Sequence, residues 1–397
     1  MVNSIPLSFH RESAPQVIFQ GNGCVRMVIL NRPRKLNSLN YEMVSQMVEK
    51  IRDYENDDTV KLIILKANGK AFCAGGDVTS NIVSMIAGHW SYGASFYRKQ
   101  LTLDYLLATC KKPLVSIING IVMGGGSGIS MNSPYRIVTE NTVFAMPEAA
   151  IGLFPDVGAS YFLSKLPGHL GEYIGLTGTR LNGSAMLACG LATQFVPSKD
   201  LEYLEKALVT SANTQGAPQL LDVILSYSQT PPIQPAAHDL IARVKVINKC
   251  FSGGTVEDIL ASLQKESECV AEQGGWINEA IARLKSASPT SLKIFLRSVR
   301  EGRGQSLEQC LSREYIVFCN IIRRTLTNDY YEGSRSMLFD KDKRPEWEPA
   351  GLEQVKEDVV DAFFKASFDG EVASFRLPWR PSIHSTRPKD SHLLSAL

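Results

Sequence analysis

With 397 residues, 44% of them hydrophobic, the chain can bury a large core, and length alone would accommodate about two or three domains. Its 42 lysines and arginines nearly balance 40 aspartates and glutamates, which excludes a whole-chain field aimed at nucleic acid or an anionic membrane. No apolar run approaches the length that spans a bilayer. The opening MVNSIPLSFHRESAP has neither the apolar core of a secretory signal nor a long arginine-rich presequence, so a cytosolic or post-translationally imported protein is expected. The eight cysteines form no CxxC pair and have no zinc-like spacing with histidine, so reduced, packed thiols and no metal are expected. Cys73, beside Gly75 and Gly76, reads as a small side chain in a tight turn rather than a nucleophile.

Taken in order, residues 17–19 and 25–30 read as paired strands joined by the turn Gly21-Asn22-Gly23. A polar loop, NRPRKLNSLN, leads to a helix in which Val44, Met47, Val48 and Ile51 share one face. Residues 61–65 form a buried strand candidate that runs into KANGKAFCAGGD. The segment 78–108 is mostly helical. A second buried strand, 114–118, delivers the chain into Gly124, Gly125 and Gly126, and a third, 142–146, ends at Pro147 and Glu148. Asp156 then heads an apolar segment, 157–166, with helical spacing at Tyr161, Phe162 and Leu166.

This alternation predicts an α/β layered core over residues 12–200. Beyond Leu201 the pattern turns helical, at 201–210, 256–273, 276–285 and 307–326, so a helical region over 201–380 should pack on the core, with an unstructured tail at 381–397.

Two glycine turns, Gly75-Gly76 and Gly124-Gly125-Gly126, each follow a strand. If those strands are neighbours, one backbone N–H from each can converge on a single oxygen as an oxyanion hole; otherwise both are simply tight turns. GGGSG is not GxGxxG, and no acidic residue ends a second strand about twenty residues on, so a dinucleotide site is a weak reading. Glu148, among Met146, Ala149, Ala150 and Ile151, would be poorly solvated and basic enough for a general base or nucleophile, or else an exposed loop acid. Asp156 alone favours an N-cap.

Four segments carry a resemblance: NRPRKLNSLN, AFCAGGD, NGIVMGGGSGIS and FAMPEAAIGLFPDVGASYFLSKLPG, in that order and spacing. The chain resembles the crotonase (enoyl-CoA hydratase/isomerase) superfamily and, within it, the 3-hydroxyisobutyryl-CoA hydrolase branch. SPTSLK at 288–293 and GSRSMLFDKDKRPEW at 333–347 extend the likeness over nearly the whole chain.

The resemblance implies a crotonase-like spiral of ββα turns that binds an acyl-CoA thioester, with coenzyme A part of the substrate and no separate cofactor. It implies an oxyanion hole at Gly76 and Gly125 and site carboxylates at Glu148 and Asp156. The implied activity is hydrolysis of a short branched 3-hydroxyacyl-CoA, 3-hydroxyisobutyryl-CoA, as in valine degradation. Hydratases of the superfamily place one glutamate three residues after the middle glycine, where this chain has Gly128, which argues against hydration. Hydrolases of this branch often carry a glutamate where this chain has Gln100, which would contact substrate with the same hydrogen-bonding shape and no charge. Rival readings are a hydratase or isomerase, and a weakly active acyl-CoA-binding paralogue. Arg32, Arg34 and Lys35 are the nearest cations for coenzyme A phosphates. Related proteins often oligomerise through their helical ends, although the long helical half here could fold back on its own core. The final Ser395-Ala396-Leu397 resembles a peroxisomal signal without its central basic residue, and a peroxisomal location is expected ahead of a cytoplasmic one.

Overall fold

Strands β1 (Val17–Asn22) and β2 (Val25–Leu30) form the hairpin expected from the Asn-Gly turn, with Asn22 opposite Val25. The computed structural model describes residues 14–215, 219–231, 235–269, 275–366 and 375–380; the tail expected at 381–397 lies outside them. After the hairpin, the Asn40 side chain accepts the Met43 amide and starts α1 (Tyr41–Asn56), which buries Met43, Val44, Met47, Val48 and Ile51 on one face.

Three turns of chain then repeat one plan. β3 (Leu62–Ala67) bends into β4 (Ala71–Cys73) and continues through α2 (Val78–Ala87) and α3 (Ser91–Ala108). β5 (Leu114–Ile118) bends into β6 (Ile121–Met123) and α4 (Gly125–Met131). β7 (Tyr135–Val138) bends into β8 (Val143–Ala145), followed by the short helices α5 (Ala159–Phe162) and α6 (Leu170–Thr177). The bends are tight. At Gly120 φ is 96°, and a Cβ there would lie 2.3 Å from the Lys70 carbonyl oxygen, so only glycine fits. β9 (Leu181–Asn182), α7 (Gly183–Cys189) and β10 (Gln194–Phe195) complete the spiral.

The longer strand of each turn enters a sheet of order β1-β2-β3-β5-β7-β10, and the shorter one enters a second sheet, β4-β6-β8-β9. Neighbours run parallel except β1 with β2 and β8 with β9. The expected spiral of ββα turns is therefore present.

The helical half comprises α8 (Leu201–Gln215), α9 (Leu220–Tyr227), α10 (Pro235–Phe251), α11 (Val256–Cys269), α12 (Gly275–Ser286), α13 (Pro289–Gly302), α14 (Leu307–Ile322), α15 (Asp329–Ser334) and α16 (Glu357–Phe363). Helices α8 and α9 cover one face of the long sheet, packing Leu204, Leu208 and Ile224 on Leu62, Ile64, Val115 and Ile137. On the other side α13 packs on α5 and α6, and α14 packs on α3. One buried cluster runs from Val17 to Leu377, so residue 200 marks a change of element type and the core crosses it. The helical half folds back on its own core.

The structure corrects several boundaries. The segment 78–108 is two helices broken at Gly88, and the helix expected at 307–326 ends at Ile322. The helix expected over 157–166 is only α5, because Val157 and Gly158 hold left-handed φ angles of 53° and 86° before it and Pro167 follows it. Cys73 is a packed thiol, pushed up to about 12 by burial and so unsuited to act as a nucleophile.

The join between halves is close at Gly302, where a Cβ would lie 1.8 Å from the Ser160 carbonyl oxygen. Gly302→Ala should therefore lower unfolding free energy by about 1–3 kcal/mol in urea titrations. Gly304→Ala, two residues on and exposed, should shift it by less than about 0.5 kcal/mol.

Candidate active site

β4 and β6 are neighbours in the short sheet, with Ala71 beside Ile121 and Cys73 beside Val122. The glycine turns that follow them must therefore meet. A Cβ on Gly125 would sit 3.3 Å from the Gly76 nitrogen, and one on Gly75 would sit 3.8 Å from the Gly125 nitrogen. Gly125 is the first residue of α4, so its N–H has no partner within the helix. Among the described residues neither the Gly76 nor the Gly125 N–H donates to a protein acceptor.

The first turn is held in place by the NRPRKLNSLN loop. Leu39 N–H donates to the Gly75 carbonyl and Asp77 N–H donates to the Leu39 carbonyl, each at 2.8 Å. Asp77 caps α2 through the Ser80 amide, and Arg32 pairs with Asp77 at 3.1 Å. Arg32 is thus half-buried and committed to the turn, whereas Arg34 and Lys35 are exposed on the short helix Pro33–Lys35.

Glu148 opens a one-turn helix, Glu148–Ile151, just past the end of β8. Its Oε1 lies 2.8 Å from where a Cβ of Gly124 would be, and Gly124 itself has φ of 47°, so position 124 suits only glycine. The other oxygen, Oε2, is buried with no hydrogen-bond partner. Burial, and then the charge of Asp156, hold the Glu148 carboxyl well above the usual range.

Asp156 is 5% exposed, and its carboxyl is pushed up to about 8 by burial and then by the charge of Glu314. The Tyr97 hydroxyl faces it and partly offsets that rise, without a hydrogen bond of ordinary geometry. Asp156 is not the N-cap that its position suggests. Gly158 occupies that place with no side-chain cap, and the Glu314 carboxylate, from α14, takes the Gly158 amide at 2.7 Å, the Ser160 amide at 3.2 Å and the Ser160 hydroxyl at 2.6 Å. With capping done from α14, the Asp156 side chain is free for the site. Val157, a β-branched residue with φ of 53°, carries local strain beside it.

Gln100 belongs to the site as well. Its Nε2 lies 3.5 Å from the Gly125 carbonyl oxygen and donates at 2.8 Å to Oδ1 of Asp104, one helical turn further along α3. A Cβ on Gly128 would lie 2.8 Å from both Asp104 Oδ2 and Val157 Cβ, so a glutamate at 128 has no room.

The structure thus brings Gly76, Gly125, Glu148, Asp156 and Gln100 together and leaves Arg34 and Lys35 outside on the surface. Sequence reasoning missed Asp104, Glu314 and Tyr97. Asp104 had a signal, since residues four apart share a helix face with Gln100. Among the described residues, no group of three or more His, Cys, Asp or Glu side chains is arranged to hold a metal ion.

The family model described as Enoyl-CoA hydratase/isomerase matches residues 25–364. The chain belongs to the enoyl-CoA hydratase/isomerase family. Within this family it is 48% identical over 378 residues to an Arabidopsis thaliana protein named probable 3-hydroxyisobutyryl-CoA hydrolase 3, covering 94% of this chain and 98% of the relative. A Gallus gallus protein named 3-hydroxyisobutyryl-CoA hydrolase, mitochondrial, is 41% identical over 90% of each chain. The fold is similar to that of a carnitinyl-CoA dehydratase from Mycobacterium thermoresistibile, with a TM-score of 0.79, 34% identity, and coverage of 89% of this chain and 99% of the other. The mitochondrial name of the chicken family member gives the expected peroxisomal location no support, and Ser395-Ala396-Leu397, on which that expectation rests, lies outside the described residues. No described helix is long and apolar enough to cross a membrane.

The raised Asp156 carboxyl makes stability depend on pH in a defined direction. Folding favours its protonated form, so its contribution is complete below the ordinary carboxylate range near 3.8 and is lost as pH rises to about 8. The wild-type melting temperature should fall by a few degrees across that window, and Asp156→Asn should flatten the fall; an equally steep fall in the variant would contradict the assignment.

Proposed function

We propose that the protein hydrolyses the thioester of 3-hydroxyisobutyryl-CoA, releasing 3-hydroxyisobutyrate and coenzyme A. The observation that carries this reading is the unpartnered Glu148 oxygen beside the two unpartnered amides of Gly76 and Gly125. Family members named for this hydrolase activity, over most of the same length, support it.

The thioester oxygen would sit between the Gly76 and Gly125 N–H groups. Charge grows on that oxygen as the carbonyl carbon becomes tetrahedral, and each such donor contributes about 3 kcal/mol in known oxyanion holes. Glu148 either attacks the carbonyl carbon, forming an anhydride and expelling the coenzyme A thiolate before water cleaves it, or removes a proton from an attacking water. Both routes require Glu148 as the carboxylate. Asp156, whose charge acts on the Glu148 carboxyl, would hold the attacking water in place. Coenzyme A phosphates would meet Arg34 and Lys35 at the rim, with Arg32 spent on Asp77. The hydratase reading needs a second acid, and the crowding around Gly128 opposes one there.

Free-thiol release from 3-hydroxyisobutyryl-CoA tests the assignment. Glu148→Ala should lower kcat by at least about a thousandfold with little change in melting temperature, and unchanged release would contradict the role. Hydration of crotonyl-CoA should be negligible beside it.

The pH profile supplies a second check. Because Glu148 must ionise to act, kcat/KM should rise with pH, with a midpoint well above 4.5. The Asp156 charge raises the Glu148 carboxyl, so Asp156→Asn should move that midpoint towards acid; a midpoint that stays put would remove the coupling from the account.

A further inference from the structure

The mechanism above makes no use of the buried Asp104 carboxyl beside the site. Asp104 is completely buried on α3, yet only half of its hydrogen-bonding capacity is met from within the protein. Oδ1 accepts from Gln100 Nε2 at 2.8 Å, while Oδ2 has no partner. Gln100 is in the same position: its amide nitrogen is occupied, and its Oε1 is buried without a partner. Leaving two buried oxygens unpaired is destabilising, and a purely structural pair would have no reason to retain it.

Their placement says what could pair with them. Gln100 Nε2 lies against the Gly125 carbonyl, on the residue whose N–H forms half of the oxyanion hole. Asp104 Oδ2 and the Cβ of Val157, next to Asp156, each lie 2.8 Å from where a Cβ of Gly128 would be, so both face the same point. The Gln100 and Asp104 pair thus spans from the carbonyl site to the segment carrying Asp156, the space that an acyl group of a bound thioester would enter.

We propose that Asp104 and Gln100 together form the polar wall of the acyl pocket and select acyl chains bearing a hydroxyl group. This inference rests on the acyl-CoA reading of the site. An alcohol both donates and accepts one hydrogen bond, so a single substrate hydroxyl can donate to Gln100 Oε1 and accept from a neutral Asp104 carboxyl. Burial, and then the charges of Asp156 and Glu314, raise the Asp104 carboxyl well above the usual range, against the lowering effect of Gln100, which keeps a proton available on it. An acyl chain of the same shape without the hydroxyl leaves both oxygens unpaired and is penalised for it.

The test compares 3-hydroxyisobutyryl-CoA with isobutyryl-CoA, which lacks only the hydroxyl. Thiol release by the wild type should favour the hydroxylated thioester in kcat/KM by at least about thirtyfold. Asp104→Val should bring that ratio to within about threefold of unity, and Asp104→Asn, which keeps a donor, should fall between. Binding of non-hydrolysable ketone analogues, with a methylene in place of the sulfur, is measured by calorimetry in the same proteins and reads the preference without turnover. If the wild type binds the hydroxylated analogue selectively but releases no thiol, the hydrolase reading fails and the pocket assignment stands. If Asp104→Val keeps the wild-type ratio in both assays, or loses both ligands equally, the assignment is overturned and Asp104 is a packing residue.

Discussion

The site depends on one pairing, that of β4 with β6. Each strand is three residues long, and each ends in a turn rich in glycine. Because the strands run parallel and adjacent, both turns leave from the same edge of the short sheet, and their amides arrive within one oxygen's reach of each other. Neither strand could hold this position alone. The longer strands β3 and β5, paired in the main sheet and buried by residues such as Ile63, Ile64 and Val115, fix the separation, and the tight bends after them pass it on. The loop through Leu39, with the Arg32 and Asp77 pair behind it, then clamps the first turn from outside.

Around that hole the protein gathers Asp104, Glu148, Asp156 and Glu314, all buried. Four carboxyl groups in one poorly solvated region cannot all ionise without a large penalty, and their environments push them apart. Glu314 is engaged by two amides, a serine hydroxyl and the nearby Arg313 charge, which lower its carboxyl against the dominant effect of burial. Among the described residues, Asp156 has only the Tyr97 hydroxyl facing it, and Glu148 has none of these side-chain partners. The acid that is best supported therefore does structural work, and the poorly supported ones are left to the chemistry. The helical half has a direct part in this, since α14 carries the acid that caps α5 and leaves Asp156 uncommitted.

Much of this was legible in the chain. Alternating apolar runs and glycine turns gave the α/β layering, and the family resemblance carried by the four spaced segments implied the spiral and named Gly76, Gly125, Glu148 and Asp156. Local pattern failed where distant residues decided the outcome. The apolar spacing of Tyr161, Phe162 and Leu166 looked helical, yet Val157 and Gly158 turn left-handed and shorten α5, and no neighbour in sequence reveals this. Asp156 looked like a cap because the residue that does cap, Glu314, lies 156 positions beyond Gly158. The short strands β9 and β10, two residues each, are too brief to leave a periodic signal.

The central claim is that the Gly76 and Gly125 amides together polarise one thioester carbonyl. Difference infrared spectroscopy tests it most directly, with carbon-13 at the carbonyl of 3-hydroxyisobutyryl-CoA bound to the Glu148→Gln variant, in which turnover is arrested. Two hydrogen bonds to the oxygen should move the labelled carbonyl band to lower frequency than in water and narrow it. A band that stays at its aqueous frequency, in a complex shown by calorimetry to be saturated, would contradict the account.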